Sequence, residues 1–279
     1  MTRILLLHPG AMGSSLGKNL VENGHEVLWV SENRSAETED RAEQNQLTQT
    51  NTLAEAMPRV EVVLSVCPPE NAIEVGRAVA DAEFKGTFCD ANAIAPTTAQ
   101  TLLDIFGERY VDGGIVGPPP RSHGHTRLYL SGPNAHQISN LFESSRVQVE
   151  VLRNEALSAS AMKMCYAAYT KGSAALILGI RALAEHHGVS DALFEEWSRS
   201  QQSLWDRSER IGPGTSRKAW RFAPEMREIA KTFEGAELPP GFHEAAAEIY
   251  SRMSSLKHEE GVETGIVLQH LLKRSTTKS

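Results

Sequence analysis

Two stretches of this chain hold side chains suited to binding an anion or moving a proton. Near the N-terminus, His8-Pro9-Gly10-Ala11-Met12-Gly13 follows the apolar run Ile4 to Leu7 and opens a helical stretch reaching about Glu22. A dinucleotide-binding turn needs glycines here for a tight turn, for close approach of the backbone to a pyrophosphate, and for close packing of helix on strand. The helix N-terminus then offers its N–H groups to the anion. Gly10 and Gly13 fill the second and third glycine positions, whereas His8 fills the first and puts a Cβ where the turn is tightest. Farther along, Lys163 lies between Met162 and Met164 in an alanine-rich stretch. Apolar neighbours suit a partly desolvated amine, and desolvation disfavours the charged form. Such an amine can exchange a proton with a substrate oxygen, which is what hydride transfer between an alcohol and a carbonyl asks of a protein. Tyr166 and Thr170 follow at helical spacing and share the face of Lys163, so Tyr166 is a candidate second proton donor and Thr170 a candidate substrate contact.

The second apolar run, Val27 to Val30, ends in Ser31-Glu32-Asn33-Arg34-Ser35. Glu32 stands where a carboxylate would bind the ribose hydroxyls of NAD. Asn33, Arg34 and Ser35 would instead hold the 2′-phosphate of NADP, with a guanidinium fork and a hydroxyl. A carboxylate facing that phosphate would be repelled, and the balance of the segment favours NADP. Trp220 and His243 are candidate pocket-lining residues of the C-terminal half. His123 and His125 form an isolated His-x-His with no third ligand nearby, so no metal is expected.

Elements that would position these groups can be read from the pattern. Strands are expected at 4–7, 27–30, 60–66, 87–90, 110–112, 127–130 and 147–151, alternating with helical stretches in the first half. That predicts an α/β Rossmann fold, a doubly wound and mostly parallel sheet buried on both faces. No strand pattern follows Val151, and the stretch from Asn154 to His187 contains no proline. The expectation is an all-α C-terminal domain over 154–279 behind a Rossmann domain over 1–153. Its helices should be divided at Gly188, at Gly212-Pro213-Gly214 and at Pro239-Pro240-Gly241, with Lys273 to Ser279 frayed.

Composition narrows the function classes. The 279 residues are 41% hydrophobic and carry a formal net charge of −7, which provides no general field for nucleic acid or an anionic membrane. Three scattered cysteines, Cys67, Cys89 and Cys165, make neither a disulfide framework nor a zinc site. The apolar run after Met1 is too short for a secretion signal or a membrane span. A cytoplasmic protein acting on a small molecule is expected. The long helix after residue 154 is apolar around most of its circumference and calls for a partner surface, so a homodimer is expected.

Taken in order, several motifs resemble the superfamily of 6-phosphogluconate dehydrogenase and the β-hydroxyacid dehydrogenases, across nearly the whole chain. Gly10-Ala11-Met12-Gly13 resembles its dinucleotide loop, and Asn33-Arg34-Ser35 resembles the Asn-Arg-Thr of its NADP-using members. Cys67-Pro68-Pro69 is similar to the strand end beside the cofactor. Asp90-Ala91-Asn92-Ala93-Ile94-Ala95-Pro96 resembles one substrate loop, and Asp112-Gly113-Gly114-Ile115-Val116-Gly117 a second. The resemblance implies roles for Asn92 toward cofactor and substrate, for Ala93, Val116 and Gly117 toward substrate, and for Lys163 as the catalytic lysine. It also implies a homodimer with the long helix between subunits. Ala219-Trp220-Arg221-Phe222 and Gly241-Phe242-His243-Glu244 are similar to a little-characterised subgroup with a distinct C-terminal domain. Ala93, Val116 and Ala167 stand where the family has polar groups, which implies a less polar or differently shaped substrate than a short 3-hydroxyacid. The expected function is NADP-linked hydride transfer on a hydroxy or carbonyl substrate. The alternatives are an imine reductase, a class that commonly lacks this lysine, and a non-catalytic NADP-binding sensor.

Overall fold

A computed structural model describes residues 1–153 and 156–273. The chain divides into two compact units, Met1–Met164 and Cys165–Ser279. This division falls inside the long helix rather than at 153, because the first turns of that helix are hydrogen-bonded to the sheet of the first unit.

The first unit runs β1 (Arg3–Leu7), α1 (Ala11–Glu22), β2 (Glu26–Val30), α2 (Ala36–Gln44), β3 (Thr48–Thr50), α3 (Leu53–Ala56) and β4 (Val62–Ser65). It continues with α4 (Ala72–Asp81), β5 (Thr87–Asp90), α5 (Pro96–Phe106), β6 (Tyr110–Val116), β7 (Thr126–Ser131), α6 (Ala135–Leu141) and β8 (Val147–Val151). The strands form one sheet in the order β3-β2-β1-β4-β5-β6-β7-β8. The first six are parallel to their neighbours, and β7 reverses direction against β6. This is a doubly wound Rossmann sheet whose order reverses between β1 and β4, the crevice where such sheets bind ligands. Alternate residues of each strand enter opposite cores. Ile4, Leu6, Val62 and Leu64 pack with Leu16 and Leu20 of α1 on one face. Leu5, Leu7, Val63 and Phe88 pack with Val79 of α4 and Leu102 of α5 on the other. Burial on both faces is why these strands read as unbroken apolar runs.

Three expectations change. The edge strand β3, Thr48-Gln49-Thr50, is polar and carries no apolar pattern to announce it. The expected second substrate loop is not a loop, since Asp112 to Val116 complete β6 and pair with β7. The third concerns the expected helix break at Gly212-Pro213-Gly214, which does not occur.

The second unit is helical throughout its described residues. It holds most of α7 (Ser158–His187), then α8 (Ser190–Ser200), α9 (Leu204–Ser216), α10 (Ala219–Gly235), α11 (Gly241–Arg252) and α12 (Thr264–Leu272). Helix α9 passes through Gly212-Pro213-Gly214. A helical proline leaves the carbonyl four residues earlier without its donor. Here that carbonyl belongs to Glu209, and the Thr264 hydroxyl donates to it at 3.1 Å. The expectation about Lys273 to Ser279 falls on residues that, after 273, lie outside those described.

Candidate functional site

The fingerprint turn takes the geometry a dinucleotide requires. The Gly10 N–H donates to the His8 carbonyl at 2.8 Å, and a Cβ on Gly13 would collide with that same carbonyl oxygen. Gly13 is therefore required by the closeness of α1 to the end of β1. At Gly10 a Cβ would meet nothing within 4 Å, so the backbone there borders open space. Gly10 caps α1 without a side-chain bond, and the first turn of α1 holds no acidic residue. The first N–H groups of a helix lack intrahelical acceptors, so this end suits an anion.

Beside the turn is a cleft of about 560 Å³ between the C-terminal ends of β1, β2 and β4. Gly10, Asn33, Arg34, Cys67 and Pro68, all candidates from the sequence, line it. Glu32 lines it too, so the NAD-type carboxylate and the NADP-type guanidinium border one space. Asn33 adopts a φ of 59° in a turn closed by the Arg34 N–H on the Ser31 carbonyl, a conformation asparagine tolerates better than most residues. Ser35 caps α2 and its hydroxyl pairs with that of Thr38 at 3.1 Å. Four further groups were not singled out from sequence. Thr38, Asn71 and Glu74 line the cleft, and Arg41 donates to the Pro9 carbonyl at 3.2 Å. Thr38 and Arg41 follow Arg34 at helical spacings, which is the one local signal they offer.

Beyond the cleft, a row of polar residues crosses the sheet. Ser65, Asp90, Asp112 and Ser131 face one another in register on β4, β5, β6 and β7. All four are buried. Asn92 joins the first two: its amide donates to Ser65 Oγ at 3.0 Å and to Asp90, and its oxygen accepts from the Cys67 N–H. Asn92 thus braces the end of β4, and any contact of its amide hydrogens with cofactor or substrate would replace one of these bonds. Burial raises the Asp90 pKa well above the carboxylate range, and the neighbouring Asp112 adds to this. Asp90 Oδ2 has no hydrogen-bond partner among the described residues. Burial, with the Asp90 charge next, pushes the Cys67 thiol up to about 12 and keeps it protonated.

Asp112 joins the sheet to α7. Its carboxylate accepts from the Ser160 N–H at 2.8 Å, from the Ser160 hydroxyl and from the Ser131 hydroxyl at 3.1 Å. Burial raises its pKa, while these bonds oppose the rise by favouring the charged form. The Ala159 N–H adds a bond to Ser131 Oγ at 3.0 Å, so two early N–H groups of α7 are satisfied from β6 and β7. One step along β6, the backbone makes room for the helix. A Cβ on Gly114 would lie 2.8 Å from the Ala159 carbonyl oxygen and 2.9 Å from Lys163 Cβ. Gly113 does the same toward β5, where a Cβ would lie 2.8 Å from the Asp90 carbonyl oxygen. The root of Lys163 is therefore seated on β6 at Gly114.

Gly117 has a φ of 113°, and a Cβ there would collide with the His125 carbonyl oxygen, so this glycine shapes the β6–β7 connection. Val116 is 1% exposed, and Ala93 is half-buried. The remaining candidates belong to the second unit. Tyr166 is exposed, and the Thr170 hydroxyl donates to the Tyr166 carbonyl on its own helix at 3.1 Å. Trp220 is half-buried with Lys257 Nζ 4.0 Å from its ring centroid. His243 is buried against Phe233 and Phe242, and burial lowers its pKa. Among the described residues no group of three or more His, Cys, Asp or Glu side chains could hold a metal ion.

Fold and cleft define a doubly wound sheet of the dinucleotide-binding type, and comparisons show what the chain is similar to. Residues 3–89 match the family described as NADP oxidoreductase, coenzyme F420-dependent. Residues 184–253 match a domain of unknown function, DUF1932. An uncharacterized 28.5 kDa protein of Methanothermus fervidus is 27% identical over 194 residues, covering 69% of this chain and 75% of its own. A solved conserved protein of unknown function, described as similar to 3-hydroxyacid dehydrogenases, is 24% identical with a TM-score of 0.68, covering 91% of this chain and 98% of its own. The 3-hydroxyisobutyrate dehydrogenase of Mycobacterium tuberculosis is 17% identical with a TM-score of 0.72, covering 98% of this chain and all of its own. These matches span both halves of the chain and bear out the resemblance read from the motifs. At these identities the solved structures speak to the fold. No described helix is long and apolar enough to cross a membrane.

Proposed function

We propose that this chain is a cytoplasmic, NADP-dependent oxidoreductase that moves a hydride between the nicotinamide and a small hydroxy or carbonyl substrate, with Lys163 as general acid/base. One observation carries the reading. Along the C-terminal ends of β1, β4, β5 and β6 stand the Gly10 turn, Cys67, Asn92 and Gly114 with Lys163 seated on it. Adjacent strands are about 4.8 Å apart, so β6, on which the root of Lys163 is seated, lies about 10 Å from β4, whose end leads to Cys67. A lysine side chain can reach into that interval.

In this proposal Gly10, Ala11, Met12 and Gly13 cradle the pyrophosphate, and Asn33, Arg34 and Ser35 face the 2′-phosphate. Cys67, Pro68 and Pro69 wall the nicotinamide side, with Asn92 bracing them. Bound NADP would supply or take up the hydride. Lys163 would give a proton to the substrate oxygen on reduction and remove it on oxidation. Ala93 and Val116, apolar where related loops are polar, favour a substrate with few polar groups beside the reacting carbon. Fluorescence titration with NADPH and NADH tests the cofactor assignment. NADPH is expected to bind much more tightly, and Arg34→Ala to remove most of that preference. Equal binding of the two would refute the NADP assignment, and binding of neither would refute the enzyme reading.

The same proposal includes a homodimer built on α7. Tyr166, Tyr169, Leu176 and Leu183 are exposed, at 43%, 69%, 46% and 58%. With Ser173 and Ile180 they form an alternating three- and four-residue repeat along one helix face, the spacing of a helix-pairing seam. The wild type should sediment as a dimer, and the pair Leu176→Arg with Leu183→Arg as a monomer. A monomeric wild type at micromolar concentration would refute this part.

A further inference from the structure

The first position of the fingerprint turn holds histidine, whose backbone N–H and carbonyl are both hydrogen-bonded within the turn. The His8 N–H donates to the Val66 carbonyl at 3.2 Å and its carbonyl receives the Gly10 N–H. The ring crosses the cleft, and Nε2 stands 3.4 Å from Nη2 of Arg34. A guanidinium only donates, so Nε2 must be the acceptor and the proton must sit on Nδ1. Nδ1 is buried without a partner among the described residues. An unpaired buried nitrogen lowers stability, and glycine at this position would remove it. The benefit of the histidine is therefore to be sought in the cleft rather than in the fold.

The surroundings say what that benefit is. Arg41, the neighbouring guanidinium, is committed to the Pro9 carbonyl and to Glu37 at 2.6 Å. Glu32 borders the same space and would repel a phosphate. Arg34 is exposed, and a long side chain left to wander would have to be ordered each time the cofactor bound.

We propose that His8 is a cofactor-selecting positioning residue, accepting a hydrogen bond from Arg34 so that the guanidinium is already aimed at the 2′-phosphate before NADP arrives. This rests on the NADP assignment proposed above. Burial, and next the Arg34 charge, hold the His8 pKa down to about 4, so the ring stays a neutral acceptor at physiological pH.

The test is a set of NADPH and NADH dissociation constants for the full-length protein and its His8→Gly, His8→Gln, Arg34→Ala and doubly substituted variants. His8→Gly should weaken NADPH binding about 3- to 10-fold, the value of one pre-ordered side chain, and leave NADH binding unchanged. In the Arg34→Ala background the same change should have no effect, and His8→Gln, which keeps an acceptor, should stay close to wild type. A loss shared equally by NADPH and NADH would overturn the proposal, because it would place the effect in the pyrophosphate turn. A loss that persists without Arg34 would overturn it as well. If the wild type itself shows no preference for NADPH, the NADP assignment falls and this proposal with it. Failure of the proposal alone leaves the wild-type preference intact.

Discussion

Lys163→Ala is expected to abolish nearly all turnover while leaving NADPH affinity unchanged. Positioned proton transfer contributes about 10²–10⁴-fold to a rate, and that is the expected loss. Alanine is the right replacement because the root of the side chain is what touches β6. The Cβ packs at Gly114, and an alanine side chain would keep that contact while losing the amine. Since the cleft and the Gly10 turn are built from other strands, cofactor binding should not respond. The measurement is steady-state reduction of a panel of small ketones and keto acids, with oxidation of hydroxyacids as the reverse assay and dinucleotide titration as control. Undiminished turnover in Lys163→Ala would remove the lysine from the mechanism. Good turnover of cyclic imines with none of ketones would shift the reading to C=N reduction. No turnover of any substrate by a wild type that binds NADPH would favour a sensor.

Parts of this site were legible in the sequence because their causes are local. The unbroken run Ile4 to Leu7 is what a strand buried on both faces requires, and the glycines at 10 and 13 answer to a turn six residues long. Where the cause is distant, the same residue types mislead. Gly113 and Gly114 look like a loop signal, yet they lie inside β6, where the Asp90 carbonyl on one side and Ala159 with Lys163 on the other come too close for a Cβ. Pro213 looks like a helix stop, and nothing near it announces the Thr264 hydroxyl that supplies the missing donor. Thr48 to Thr50 form a strand on pairing with β2 alone, without an apolar face. His8 reads as a defect in the fingerprint until Arg34, 26 residues on, is seen across the cleft. Asn92 reads as a ligand-facing amide, and nothing near it in sequence announces its bonds to Ser65 and to the Cys67 N–H.

Asp112 is the most consequential of these distant pairings, and Asp112→Ala should be strongly destabilising. The change removes a buried acceptor from the Ser160 N–H and hydroxyl, 48 residues away, and from the Ser131 hydroxyl. Ser131 has a second acceptor in the Ala156 carbonyl, so the two Ser160 groups carry the penalty. A buried donor left unsatisfied costs about 1–3 kcal/mol, so the two give a loss of about 2–6 kcal/mol. Relief of the buried charge works against this, since burial raises the Asp112 pKa and so disfavours the ionised form. The bonds should outweigh it, because they cap the first turn of α7 as well as solvating the carboxylate. For a unit of this size the midpoint of thermal unfolding should fall by on the order of 10 °C. Asp112→Asn keeps one oxygen for the Ser160 N–H and should lose less. Because α7 carries Lys163, folded Asp112→Ala assayed well below its midpoint should also turn over more slowly with NADPH affinity intact. Wild-type stability in Asp112→Ala would mean that the seat at Gly114, and not this carboxylate, fixes the start of α7.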